Sequence, residues 1–137
     1  MFPSDFEYVA TTSLDEALAL LAEHGEDAKV LAGGQSLIPL MKLRFAAPQL
    51  VVDINRVPGL DRLEQDRRGK GSLRVGALVR NRSIERSQVV TDRYPTMAAA
   101  APKISDPIIR NQGTFVGSLC HADPPGRLGL GDARPRR

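Results

Sequence analysis

The chain has 137 residues, 42% apolar and 4% aromatic, which is room for one domain or a piece of one with a core of Leu, Val, Ile and Ala rather than rings. Its one cysteine, Cys120, excludes an internal disulfide and any thiolate cluster for zinc or iron–sulfur. The formal charge of +3 sits at the C-terminal end, because residues 1–126 hold 15 Lys+Arg and 15 Asp+Glu, and a neutral body without stacking rings argues against a nucleic-acid partner.

The opening Met1-Phe2-Pro3-Ser4-Asp5 lacks the basic start and apolar run of a signal peptide, and no later segment approaches membrane-spanning length. No membrane span is therefore expected, and the expected location is cytoplasmic. Ser13-Leu14-Asp15-Glu16 is a capping box, in which hydroxyl and carboxylate each satisfy a free backbone N–H at a helix start. Leu14, Ala17, Leu18 and Leu21 follow at helical spacing, Gly25 supplies the left-handed stop, and His24 suits the negative end of the helix dipole better than catalysis. Ala28 to Ala32 is a short strand that breaks into Gly33-Gly34-Gln35-Ser36. Leu37 to Leu43 is a short helix with Pro39 in its first turn, and Leu50 to Ile54 is a second buried strand. Strand, crossover, strand predicts parallel pairing.

Leu60 to Gln65 and Ser72 to Val79 flank the polar segment Arg67-Arg68-Gly69-Lys70-Gly71, a β-hairpin signature with a solvated tip. Ser83 to Ser87 forms one helical turn, and the Ala-rich stretch Tyr94 to Lys103 a longer helix. Ile104 to Pro125, punctuated by Gly and Pro, reads as loop with short extended pieces. In such a stretch the adjacent Cys120 and His121 point to opposite faces, which favours a structural role over a thiolate pair.

Two of these loops carry chemistry. Ala32-Gly33-Gly34-Gln35-Ser36 joins a strand to a helix, so its backbone N–H groups converge where an anion such as phosphate is favoured, and its glycines let a ligand approach the main chain. The same turn also serves as plain strand-to-helix punctuation. The second loop runs from Arg110-Asn111-Gln112-Gly113-Thr114 to Asp123-Pro124. Thr114, Ser118 and the amides around Gly117 suit the other side of a diphosphate, and Asp123 suits ribose hydroxyls.

Taken together, the opening Phe6-Glu7-Tyr8, Leu31-Ala32-Gly33-Gly34-Gln35-Ser36-Leu37-Ile38-Pro39-Leu40-Met41-Lys42-Leu43-Arg44, the strand Leu50-Val51-Val52-Asp53-Ile54, Val75-Gly76-Ala77 and Arg110-Asn111-Gln112-Gly113-Thr114 to His121-Ala122-Asp123-Pro124 resemble the FAD-binding medium subunit of molybdenum hydroxylases, such as aerobic carbon monoxide dehydrogenase and xanthine dehydrogenase. The resemblance implies a mixed α/β and α+β fold of the vanillyl-alcohol-oxidase (PCMH) type. Residues 1–56 would be an α/β FAD-binding subdomain, residues 57–126 an incomplete second one, and residues 127–137 a basic, disordered tail. It implies an oxidoreductase subunit whose FAD passes electrons from iron–sulfur centres to an external acceptor, with a molybdenum-cofactor large subunit and a 2Fe–2S small subunit as partners. By position Ala32, Gly33, Gly34, Gln35, Ser36 and Leu37 hold the pyrophosphate, Thr114, Gly117, Ser118 and Asp123 form the second FAD loop, and Ile104 and Ser105 lie near the cofactor. No side chain is expected to be catalytic and none to bind metal, since the flavin carries the redox step.

The chain departs from that pattern twice. Val116 stands where the family has Gly, and a positive φ there would strain a β-branched residue. After Gly126 the family continues Asp-Trp-Gly-Ser-Val-Met-Leu-Ala-Leu-Gly. Written in GC-rich codons with one C placed before them, those triplets spell Arg-Leu-Gly-Leu-Gly-Asp-Ala-Arg-Pro-Arg, which is residues 127–136 in order. The expectation is a frameshift, which gene sequencing tests, with the Gly126-x-x-Gly129-x-Gly131 spacing accidental and apolar surface of the hairpin and Ala-rich helix left without cover. A non-functional truncated product and a small anion- or nucleic-acid-binding module using the tail stand as alternatives.

Overall fold

The computed structural model describes residues 1–65 and 71–122, and its first half is built on a parallel sheet. The strands β1 (Glu7–Ala10), β2 (Ala28–Leu31) and β3 (Leu50–Asp53) lie in the order β1-β3-β2, with Glu7 and Ala28 both opposite Leu50. Parallel pairing of β2 and β3 follows the crossover logic of the sequence. β1 is an addition: it is an edge strand, exposed at Glu7 and Tyr8 and half-buried at Val9 and Ala10, with none of the alternation that marks a strand in sequence. The middle strand is apolar up to its last residue, Asp53, with Leu50, Val51 and Val52 buried, because a strand paired on both edges and covered has little face for water.

Helix α1 (Leu14–His24) starts where the capping box predicts. The Ser13 hydroxyl accepts from the Glu16 N–H at 3.2 Å, and the Glu16 carboxylate accepts from the Thr12 N–H at 2.9 Å. Gly25, at φ +53, ends it by donating to the Leu21 carbonyl. Its buried face differs from the predicted stripe. Ala17, Leu20 and Leu21 pack on the core, whereas Leu14 and Leu18 are half exposed. The core here joins Ala17, Ala28, Leu50, Val52, Ile54, Val57 and Leu78, so two residues beyond position 56 belong to it. Helix α2 (Leu37–Lys42) follows β2, with Pro39 in its first turn as expected.

The second half has a hairpin, β4 (Leu63–Gln65) against β5 (Leu73–Val75), whose tip at residues 66–70 lies outside the described residues. Five short helices follow: α3 (Asn81–Arg86), α4 (Gln88–Arg93), α5 (Pro95–Ala100), α6 (Pro107–Gln112) and α7 (Phe115–His121). A 3-10 turn over Ala101–Lys103 completes the expected Ala-rich helix. The last two helices correct the reading of Ile104 to Pro125 as loop. Asp106 caps α6 by accepting from the Ile109 N–H at 2.9 Å, with Pro107 as first helical residue, and Thr114 caps α7 by accepting from the Gly117 N–H at 3.2 Å.

A second cluster of Val79, Ile84, Val90, Ala101 and Phe115 holds these helices. Leu63, Leu73 and Val75 of the hairpin pack on it together with Tyr94, Met97 and Ala98. Hairpin and Ala-rich segment each place apolar residues against this cluster, so part of the surface expected to lack cover has a partner, while these side chains stay partly exposed. Val116 packs on the same cluster inside α7 and is not among the positive-φ residues, so the strain expected of it does not arise. Cys120 and His121 are exposed at the end of a helix rather than in extended chain. The basic tail lies outside the described residues.

Candidate functional site

The Ala32–Ser36 turn leaves β2 at Leu31 and enters α2 at Leu37. Gly34 has φ +72, a left-handed conformation that favours glycine. Gly33 is required for another reason. A Cβ on it would lie 2.5 Å from the Gln112 carbonyl oxygen, 2.9 Å from the Gly113 Cα and 2.9 Å from the Thr114 nitrogen, all of them main chain. The two glycine-bearing segments, about eighty positions apart, thus meet backbone to backbone. Gln35 adds a side-chain link, its amide donating to the Gly33 carbonyl at 3.1 Å and to the Gln112 side-chain oxygen at 3.1 Å.

The turn presents donors. Among the described residues no acceptor is recorded for the backbone N–H groups of residues 33–37, and the first bond after them runs from the Ile38 N–H to the Gly34 carbonyl at 3.1 Å. Five consecutive N–H groups on a half-buried turn call for water or an anion. With only six residues, α2 adds a modest dipole, so the donors themselves carry the site. Ser36 makes no capping bond.

Across from the turn, Thr114 is 4% exposed and its hydroxyl is engaged with Gly117. A Cβ on Gly117 would meet that hydroxyl at 2.4 Å, so Thr114 and Gly117 form one unit. Ser118 is half-buried on the next position of α7, and Asp123 lies outside the described residues. Ile104 and Ser105 are held separately. Their carbonyls accept from the Arg110 guanidinium at 3.0 and 2.8 Å, and Ser105 adopts φ +44, a conformation that costs a non-glycine residue. Arg110 is 8% exposed and pairs with Glu85 at 3.1 Å, which also pairs with Arg82 at 3.0 Å. Burial pushes the Glu85 carboxyl up, but the Arg82 hydrogen bond and the two guanidinium charges bring it below the ordinary carboxylate range.

Three residues not singled out in the sequence reading connect these parts. The Asp53 carboxylate accepts from the Tyr8 hydroxyl at 2.5 Å, the Asn55 N–H at 2.8 Å and the Asn55 side-chain amide at 2.6 Å. Burial raises the Asp53 pKa, and these bonds with the nearby Arg56 charge more than reverse it. The Asn55 amide also donates to the Ala32 carbonyl at 2.8 Å, and its oxygen accepts from Arg80 at 2.7 Å. The other arm of Arg80 donates to the Gln112 carbonyl. Asp53-Ile54-Asn55 is a side-chain turn legible in sequence, but Arg80 carried no local signal.

A cleft of about 450 Å³ borders this network, lined by Asn55, Arg56, Val57, Asp61, Leu78 and Arg80 among others. None of the expected site residues lines it. The contact between the two loops, rather than this open cleft, marks the candidate site, because the N–H groups without an acceptor among the described residues and the close approach at Gly33 are there. Among the described residues no group of His, Cys, Asp and Glu is placed to hold a metal ion, and no helix is long and apolar enough to cross a membrane.

Comparison with known proteins bears on this geometry. A family profile described as the FAD binding domain in molybdopterin dehydrogenase matches residues 4–134. The 6-hydroxypseudooxynicotine dehydrogenase complex subunit alpha of Paenarthrobacter nicotinovorans is 45% identical over 93% of this chain and 42% of its own length. The carbon monoxide dehydrogenase medium chain of Hydrogenophaga pseudoflava is 44% identical over 90% of this chain and 42% of its own length. The solved structure of carbon monoxide dehydrogenase from that organism, in a form lacking the Mo-pyranopterin moiety, superposes with a TM-score of 0.87 at 44% identity, covering 93% of this chain and 44% of that one. The chain therefore spans less than half the length of these relatives.

Proposed function

The chain belongs to the family of FAD-binding domains of molybdopterin dehydrogenases, and from that premise we propose that it is part of an electron-transfer subunit in which FAD passes electrons from iron–sulfur centres to an external acceptor. The proposed partners are a molybdenum-cofactor large subunit and a 2Fe–2S small subunit, as befits a chain 44% identical to a carbon monoxide dehydrogenase medium chain. The proposed location is cytoplasmic. Residues 1–56 and 57–126 are taken as the two subdomains, although Val57, Leu60, Ala77 and Leu78 of the second pack in or on the first core.

The observation that carries this reading is the run of N–H groups at residues 33–37 without an acceptor among the described residues, with Gly33 pressed against the segment that leads into α7. A diphosphate suits that place, since it needs several donors and close access to main chain and tolerates no side chain in the gap. Gly33, Gly34, Gln35, Ser36 and Leu37 would supply main-chain donors, and Ala32 would anchor the turn. Thr114, Gly117 and Ser118 would shape the opposite wall, and Asp123 would accept from a ribose. Ile104 and Ser105 would lie along the flavin, their carbonyls drawn to Arg110. FAD when bound supplies the redox chemistry, and these residues bind and orient it.

Titrating the purified chain with FAD, followed by visible absorption and flavin fluorescence, tests the reading. Saturable binding that ADP competes away is the expected result. No binding at high FAD concentration would remove the activity from this chain while leaving its family membership intact.

A further inference from the structure

The bonds of Arg80 and Asn55 concern carbonyl groups in both halves of the site. We infer that these two side chains are positioning residues: together they clip the Ala32 carbonyl to the Gln112 carbonyl, and so turn the Gly33 N–H outward and hold the two loops in register. This rests on the reading that the loops bind FAD.

The geometry is that of a trans peptide. Carbonyl and N–H of one peptide unit point in opposite directions, and no cis peptide bond occurs among the described residues. The Ala32 carbonyl is drawn to the Asn55 amide at 2.8 Å, so the Gly33 N–H of the same unit must face away from Asn55. Asn55 is itself fixed on both sides. Its amide is also held by Asp53 at 2.6 Å and its oxygen by Arg80 at 2.7 Å. Rotating the Ala32–Gly33 peptide would break the first bond and put a carbonyl oxygen among the donors, where it would repel an anion.

Arg80 brings in the second loop. One arm of its planar fork holds Asn55 and the other holds the Gln112 carbonyl, the atom that lies closest to the missing Cβ of Gly33. The main chain beside it is pinned as well, since Arg80 bridges Thr114, the Asn81 N–H donates to the Gly113 carbonyl at 3.0 Å, and the Phe115 N–H donates to the Val79 carbonyl at 3.0 Å. A lysine keeps the charge and reaches one acceptor, but it has no rigid fork to span two. Lysine is therefore the informative replacement.

Two measurements on the full chain test the clip. In ¹⁵N–¹H spectra without ligand, Arg80→Lys and Asn55→Ser should each move the Gly33 amide resonance, while amides of α1 stay in place. In titrations with FAD and with ADP, each variant should bind both about tenfold more weakly, and the double variant should be little worse than either single one, because the two act along one path. A Gly33 amide unchanged in both folded variants overturns the inference, whether or not FAD binds. Additive losses in the double variant overturn the shared path. Failure of the unsubstituted chain to bind FAD or ADP sinks the FAD reading instead, and the amide spectra still decide the clip. If Arg80→Lys does not fold, Asn55→Ser carries the spectroscopic test.

Discussion

Replacing Gly33 with alanine sets two physical effects against each other. Gly33 is not among the glycines with positive φ, so alanine fits its backbone conformation and would by itself stabilise the chain by about 0.4–1 kcal/mol through the unfolded state. The new methyl, however, would sit 2.5 Å from the Gln112 carbonyl oxygen, against roughly 3.3 Å for a close carbon–oxygen contact, so the loops must part by roughly 0.8 Å. The atoms in the way are main chain and cannot escape by changing rotamer. Overpacking of this kind costs about 1–3 kcal/mol, which exceeds the gain. A net loss of about 1–2 kcal/mol should lower the midpoint of thermal unfolding by about 5 °C. Because the same displacement opens the diphosphate site, FAD affinity should fall at least about tenfold. Differential scanning fluorimetry and flavin titration read the two effects. A variant that melts at or above the parent temperature with unchanged FAD affinity would refute the close approach of the two loops.

Further outcomes follow from the buried polar groups. Arg110→Met should cost about 2 kcal/mol in urea unfolding by leaving the Ile104 and Ser105 carbonyls without their donor, and it should weaken FAD binding if that segment borders the flavin. Asp53 and Glu85 both have pKa values below the ordinary range in the folded chain, so their contribution is complete above the unfolded values and is lost as pH falls through the folded ones. Melting temperature should be nearly flat from about pH 7 to 5 and drop below about pH 4, with a shallower drop in the Asp53→Asn, Glu85→Gln double variant; an identical slope would count against those shifts. Cys120 is exposed, so a thiol reagent should modify it without denaturant and Cys120→Ser should change stability by less than about 0.5 kcal/mol.

Local signals in the chain were readable where a residue acts on its own neighbours. The Ser13 cap, the Gly25 stop, Pro39 in the first turn of α2 and the apolar β3 strand depend on residues within a few positions, and each stands in the structure. The two glycine segments were identified by their motif, and their meeting is borne out at Gly33. What escaped depends on distant partners. β1 is a strand because Leu50 to Asp53 lies beside it, and Arg80 matters because Asn55 and Gln112 come to it through folding. The helices α6 and α7 were missed for a different reason. Glycine and proline density suggested loop, yet Asp106-Pro107 and Thr114 are N-terminal caps, and such residues punctuate a run of short helices as readily as they break one.

The strand order β1-β3-β2 also dictates when the sheet can close. Tyr8 bonds to Asp53, 45 positions away, and β1 touches no strand of the sheet except β3. On a ribosome the first strand must therefore wait, unpaired, until α1, β2 and α2 have emerged and β3 can dock between it and β2. Folding of this sheet should be slow for its size, limited by late insertion of the central strand, and a chaperone that shields residues 7–10 during synthesis would act on the most exposed intermediate.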